Sequence, residues 1–165
     1  MTMIIGKMMI GGNNMVIIIE GPDGTGKSTL AEKVSKQTGW PVEHRSKPNS
    51  DEEKARMMSE YETIATSNNN VILDRCWYSE MAYGKVMRDQ ACICVGQMLK
   101  LESDLAQNGG AIIIYCPGTD DTFKACQERG EDYITSHEKY KEICAEYENI
   151  MNMPHHIPVV RYAYH

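Results

Sequence analysis

The chain has 165 residues, 17 Lys and Arg against 23 Asp and Glu, a formal net charge of -6 and a hydrophobic fraction of 42%. This length fits a single domain that buries roughly 68–70% of its unfolded surface without a metal or disulfide staple, and the composition excludes a disordered chain. The acidic balance argues against a nucleic-acid polymer as partner, which calls for a basic face, and no run approaches the roughly 18 apolar residues of a membrane span.

Residues 1–14 are rich in Met, Gly and Asn and read as a short strand or flexible N-terminal extension closed by a Gly/Asn turn. The ordered pattern, residues 15–165, opens at Met15, itself a plausible start. Val16 to Ile19 is a β-branched run of the kind buried on both faces of a sheet. Lys27 to Thr38 reads as a helix stopped by Gly39 and Pro41. Val42 to His44 is a short strand, Ser46 to Ser50 a loop, and Asp51 to Ala65 a helix with acids in its first turn. Asn68-Asn69-Asn70 is a turn, and Val71 to Leu73 is a third strand that ends at Asp74. Ala91 to Ala106 predicts a helix, Ala111 to Cys116 a strand, Asp120 to Arg129 a helix, Ser136 to Met153 a long helix, and His156 to Arg161 a last strand. The fold class is α/β: a five-stranded parallel sheet with helices on both faces, whose ligands bind beyond the carboxyl ends of the strands.

Six Cys are present, most in segments that read as helix or buried strand, and are expected as reduced core thiols. Cys92-Ile93-Cys94 has one spacer and no partner set for zinc, and adjacent His155 and His156 do not read as a metal site. Tyr133, Tyr140 and Tyr147 recur every seven residues, as do residues on one packed helix face. Met57, Met58 and Met87 read as core filling.

The chemistry concentrates in Gly21-Pro22-Asp23-Gly24-Thr25-Gly26-Lys27-Ser28, a full G-x-x-x-x-G-K-[ST] phosphate loop between a buried strand and a helix. Its glycines let successive backbone N–H groups face a phosphate, and the helix N-terminus adds donors. The loop, with Thr29 after it, predicts an ATP site in which Lys27 reaches the β- and γ-phosphates and Ser28 ligates Mg²⁺. Asp74, at the end of a strand, is the second Mg²⁺ candidate. Arg75 beside it has the planar fork that clamps phosphoryl oxygens. No Asn-Lys-x-Asp guanine-reading motif occurs, and the length leaves no room for the added elements of a motor ATPase.

Glu20 through Thr29 closely resembles the phosphate loop of thymidylate kinases, including an Asp inside the loop at Asp23. Leu73-Asp74-Arg75 with Ser79 and Ala82-Tyr83 resembles that family's Asp-Arg segment. Arg129-Gly130-Glu131-Asp132 is more loosely similar to its lid, here placed near 119–136. The resemblance runs from residue 16 to about 150 and is compact, like divergent viral members. It implies a P-loop kinase that phosphorylates a (deoxy)nucleoside monophosphate, with Lys27, Arg75, Arg129 and Asp23 catalytic. It also implies that Asp23 lies near the acceptor sugar, that Arg75 bridges the two phosphates, that Tyr83 borders the acceptor pocket, and that the protein is a cytoplasmic homodimer. Trp77 is a further candidate for the pocket wall. The sequence departs from the family at Gly84, where Gln is usual, and in lacking an Arg-Glu-Pro-Gly-Gly segment. Arg45, in His44-Arg45-Ser46-Lys47-Pro48, takes that place, and Lys124 or Arg88 supplements the lid. The alternatives are a deoxynucleoside kinase, with Glu20 or Asp74 as base toward a sugar hydroxyl, and a non-enzymatic ATP-binding protein.

Overall fold

The computed structural model describes residues 14–45, 48, 50–130, 133–134 and 136–163. Most of the expected N-terminal extension and the lid residues Glu131 and Asp132 lie outside the described residues. In chain order the elements are β1 (Val16–Glu20), α1 (Lys27–Thr38), β2 (Val42–His44), α2 (Asp51–Thr66), β3 (Val71–Asp74), α3 (Trp77–Arg88), α4 (Val95–Gln107), β4 (Ala111–Tyr115), α5 (Asp120–Glu128), α6 (His137–Met151) and β5 (Val159–Arg161). The five strands form one parallel sheet in the order β2-β3-β1-β4-β5, as the sequence predicts.

Alternation along the strands divides the core in two. Ile17, Ile19, Ile72, Ile112 and Ile114 face α1, which covers them with Leu30, Ala31 and Val34. Val16, Ile18, Leu73, Ile113 and Tyr115 face the larger layer, built with side chains of α2, α3, α4 and α6. The helix boundaries follow local chemistry. Gly39, at φ 75°, ends α1 and returns its N–H to the Ser35 carbonyl at 2.8 Å. The Ser50 hydroxyl caps α2 by accepting from the Glu53 N–H at 3.1 Å.

One helix departs from the sequence reading. Residues 77–88 form α3, and the helix expected from Ala91 begins only at Val95. Nearly all of the first eight residues of α3 are buried, so the segment has no polar face and no 3.6-residue alternation to detect. Its N-terminus carries no side-chain cap of its own. Glu20, distant in sequence, accepts from the N–H groups of Cys76 at 2.7 Å and Ser79 at 3.2 Å.

Trp77 corrects a second expectation. It is 0% exposed and packs edge-on to Tyr61, with ring centroids 5.3 Å apart, so it belongs to the core rather than to a pocket wall. The cysteines are all free thiols, as expected, but only Cys76, Cys116 and Cys126 are buried, and Cys94 is exposed at the start of α4. Tyr140 and Tyr147 are buried on the inner side of α6, whereas Tyr133 precedes that helix and is 38% exposed.

His155 is also structural. The Glu102 carboxylate, 0% exposed, accepts from Tyr78 Oη at 2.8 Å, meets His155 Nδ1 at 2.7 Å and accepts from the His156 N–H at 2.7 Å. Burial disfavours the imidazolium, but Glu102 and the Ile150 carbonyl outweigh it and raise the His155 pKa above its usual 6.5. The stabilisation is therefore full below about pH 6.5 and lost as pH rises through the raised value. His155→Ala should cost about 3 kcal/mol near pH 6 and measurably less at pH 9, read as urea-unfolding midpoints at the two pH values.

Candidate active site

Beyond the carboxyl ends of β1, β2 and β3 lies a cavity of about 610 Å³. The phosphate loop forms one end, through Asp23, Gly24, Gly26, Lys27, Ser28 and Thr29. Of the other predicted loop residues, Gly21 and Thr25 are buried behind this surface. Gly21 lies at φ 146°, and a Cβ there would come within 2.0 Å of the Cys116 carbonyl oxygen. Thr25 Oγ1 donates to the Pro22 carbonyl at 2.9 Å, tightening the turn.

Two tyrosines hold the loop from outside. Tyr83 Oη accepts from the Asp23 N–H at 3.0 Å and donates to Asp23 Oδ2 at 2.9 Å. Tyr140 Oη donates to the Asp23 carbonyl at 2.8 Å. Asp23 Oδ1 is ion-paired with Arg75 Nη2. Arg75 sits immediately after β3 at φ 72°, a left-handed conformation that costs a non-glycine residue energy. That turn brings its guanidinium back over the Tyr83 ring, 5.3 Å from the centroid, with Nη1 donating to the Gly21 carbonyl and to Ser79 Oγ, both at 3.3 Å. Arg75 thus sits between the loop and α3, on the cavity wall.

Lys27 is 5% exposed, and its ammonium donates to the Pro22 carbonyl and to Thr25 Oγ1. Burial, then Arg75, pushes its pKa down to about 8 against the pull of Asp23, Glu20 and Asp74. Ser28 Oγ donates to Asp74 Oδ2 at 2.7 Å, and His44 Nδ1 meets the same oxygen at 2.9 Å. This hydroxyl–carboxylate pair is the oxygen donor set that suits Mg²⁺, which binds through few protein ligands and keeps several waters. No cluster of three His, Cys, Asp or Glu occurs among the described residues, so the site does not resemble a zinc cage.

The cavity is also lined by Arg45, Met57, Tyr61, Cys76, Glu80 and Arg129, among others. Arg45 is anchored through Nη2 to Glu43 and Nη1 to Glu60, at 2.7 and 3.1 Å. Its Nε is buried without a hydrogen-bond partner. Arg88 does not reach the cavity wall, because it is ion-paired with Glu80. Lys124 is 72% exposed and 3.5 Å from Asp121, also away from the cavity. Sequence reasoning missed His44, Tyr61 and Glu80 as cavity residues. Glu80 had one signal: it is the single acid between Arg75 and Arg88.

Glu20 ends β1 fully buried and does not line the cavity. Besides the two N–H groups at the start of α3, it accepts from Ser79 Oγ at 2.7 Å and Tyr147 Oη at 3.0 Å. It organises the site from behind.

The sequence model of the polyphosphate kinase 2 family matches residues 1–133. The chain belongs to that family. It is 29% identical over 120 residues, 72% of either chain, to the SPbeta prophage-derived protein YorR of Bacillus subtilis. The crystal structure of YorR in complex with phosphorylated GDP aligns with a TM-score of 0.72 at 26% identity, over 90% of this chain and 85% of that one. The same fold recurs in polyphosphate kinase 2 from Arthrobacter aurescens, with a TM-score of 0.58 at 18% identity over 86% of this chain and 54% of the other. It recurs again in deoxyadenosine kinase from M. mycoides, with a TM-score of 0.57 at 19% identity, over 90% of this chain and 89% of that one. The fold is a kinase-like P-loop fold. No described helix is long and apolar enough to cross a membrane.

Two predictions follow from this geometry. A bound triphosphate places negative charge beside Lys27 and raises its pKa, so binding above about pH 8 requires proton uptake. ATP affinity should hold from pH 6.5 to 7.5 and weaken by up to roughly tenfold per pH unit above 8. Calorimetric Kd values at pH 7 and 9 check this, and Lys27→Arg should flatten the dependence. Glu20→Gln exchanges an acceptor oxygen for an amide donor among four donors, and should lower the unfolding free energy by about 3 kcal/mol in denaturant titration.

Proposed function

We propose that the protein transfers the γ-phosphoryl group of ATP to the phosphate of a (deoxy)nucleoside monophosphate, releasing ADP and the nucleoside diphosphate. The carrying observation is the single cavity that runs from the phosphate loop to a wall bearing Arg45, Arg75 and Arg129. The nucleotide in the YorR structure, phosphorylated GDP, supports a nucleotide phosphate as the group handled.

In this reading an acceptor phosphate oxygen attacks the γ-phosphorus while the bond to the β–γ bridging oxygen breaks. The acceptor is already ionised, so alignment and charge neutralisation suffice without a strong base. Lys27 and the loop N–H groups hold the donor. Arg75, fixed by Asp23, Ser79 and Tyr83, lies where it would touch both the acceptor phosphate and the transferring group. Arg45 supplies a further positive charge, and Arg129 covers the phosphates. Mg²⁺ held by Ser28 and Asp74 would offset charge on the donor phosphates. Arg75→Ala should reduce kcat roughly 100- to 1,000-fold while the ATP KM changes little. A folded variant at full rate would sink the assignment.

A deoxynucleoside kinase would require a carboxylate at a sugar hydroxyl. Glu20 is buried outside the cavity and Asp74 is engaged by Ser28 and His44, so Glu80, also on the cavity wall, is the carboxylate that reading would have to use. The family match favours one second reading, in which inorganic polyphosphate replaces ATP as donor. ³¹P NMR of reactions pairing ATP or polyphosphate with nucleosides and monophosphates distinguishes these activities. ATP binding without acceptor-dependent turnover would instead mark a nucleotide-binding protein.

A further inference from the structure

Three carboxylates line the cavity, and two of them, Asp23 and Asp74, are bonded to residues of the phosphate loop or of the segment that follows β3. Asp23 gives Oδ1 to Arg75 and Oδ2 to Tyr83. Asp74 receives Ser28 and His44 beside the phosphate loop. Glu80 differs. It is 5% exposed, and Arg88 Nη2 and the Cys92 N–H, the latter at 3.1 Å, both donate to its Oε1. None of these partners belongs to the phosphate loop, and the carboxylate stands on the cavity wall.

Its place along α3 sets what a ligand there would be. Cys76, Ser79, Glu80 and Tyr83 recur at helical spacing and all line the cavity, so this stripe carries the wall onward from Arg75. Met57 and Tyr61 of α2 add apolar surface to the same wall. An acceptor nucleotide with its phosphate at Arg75 therefore lays its base along an apolar wall interrupted by one carboxylate.

Resting on the acceptor reading above, we propose that Glu80 reads the acceptor base and selects bases that carry an exocyclic amino group, guanine foremost. A carboxylate accepts only. Thymine and uracil present one ring N–H between two carbonyl oxygens, which would face a buried anion. Adenine and cytosine offer an amino group, and guanine offers its 2-amino group beside the N1–H, two donors side by side. Arg88 balances the charge of Glu80, and the Cys92 N–H fixes its position, so the carboxylate is pre-oriented rather than recruited. A site built to receive a donor leaves its acceptor unpaired against an analogue lacking it, and discriminates strongly for that reason. This choice runs against the thymine preference that the loop and Asp-Arg motifs imply.

The test measures kcat/KM for dGMP, dAMP, dCMP, dTMP and dUMP, together with calorimetric binding of dGMP and dTMP in the absence of ATP. The wild-type protein should favour dGMP over dTMP by roughly 100-fold or more. Glu80→Gln retains volume and a carbonyl for the Cys92 N–H but adds a donor, and should reduce that ratio at least roughly tenfold, chiefly by improving dTMP. Selective dGMP binding with no turnover of any monophosphate would support the base reading and overturn the phosphotransfer reading. A wild-type preference for dTMP or dUMP overturns the base reading. So does an unchanged ratio in a Glu80→Gln protein that melts like the wild type. If that variant does not fold, the wild-type ratio decides alone. Failure of both monophosphates to bind overturns both readings.

Discussion

A carboxylate withdrawn from water and surrounded by donors organises this molecule. Glu20 closes the central strand, and its oxygens gather the first N–H groups of α3, the Ser79 hydroxyl and the Tyr147 phenol of α6. A buried carboxylate is tolerable only when its lone pairs are met. Here the partners come from two helices distant in sequence, so the need to satisfy one charge fixes where both helices start or pass. The phosphate loop begins at the next residue, Gly21, and inherits that position. Ser79 then hands the constraint on to Arg75.

The same economy governs the cavity. Two arginines on its wall are held by carboxylates: Arg75 by Asp23, Arg45 by Glu43 and Glu60. These pairs keep the guanidiniums oriented along the cavity wall. The net acidity of the chain is thus compatible with an anion site, because acids supply the anchoring and the cations face inward. The left-handed backbone at Arg75 is the local cost of this arrangement, offset by the contacts of its side chain with Gly21, Ser79, Asp23 and Tyr83.

The legible parts of this structure were those whose physics is local. The phosphate loop needs glycines at fixed spacing, and Asp74 is an acid terminating an apolar run, so both stand out in the chain. The five strands were visible as short apolar runs bounded by turn residues. α3 was not, because burial on nearly all sides removes periodicity and because its cap is 56 residues away at Glu20. Trp77 was misassigned for a related reason: adjacency to Arg75 in sequence says nothing of which way a helix turns its side chains. His44 and Tyr61 reach the cavity only through the packing of β2 and α2 against their neighbours, which no local pattern records.

The phosphate loop lies directly against α5. A Cβ on Gly24 would lie 2.0 Å from the Thr122 carbonyl oxygen, and Tyr140 joins Thr122 to the Asp23 carbonyl through its hydroxyl. Loop, α5 and α6 are therefore joined through a few atoms. Any side chain at position 24 would wedge this seam open, so the closeness of the phosphate loop to α5 depends on a hydrogen standing where every other residue carries a carbon.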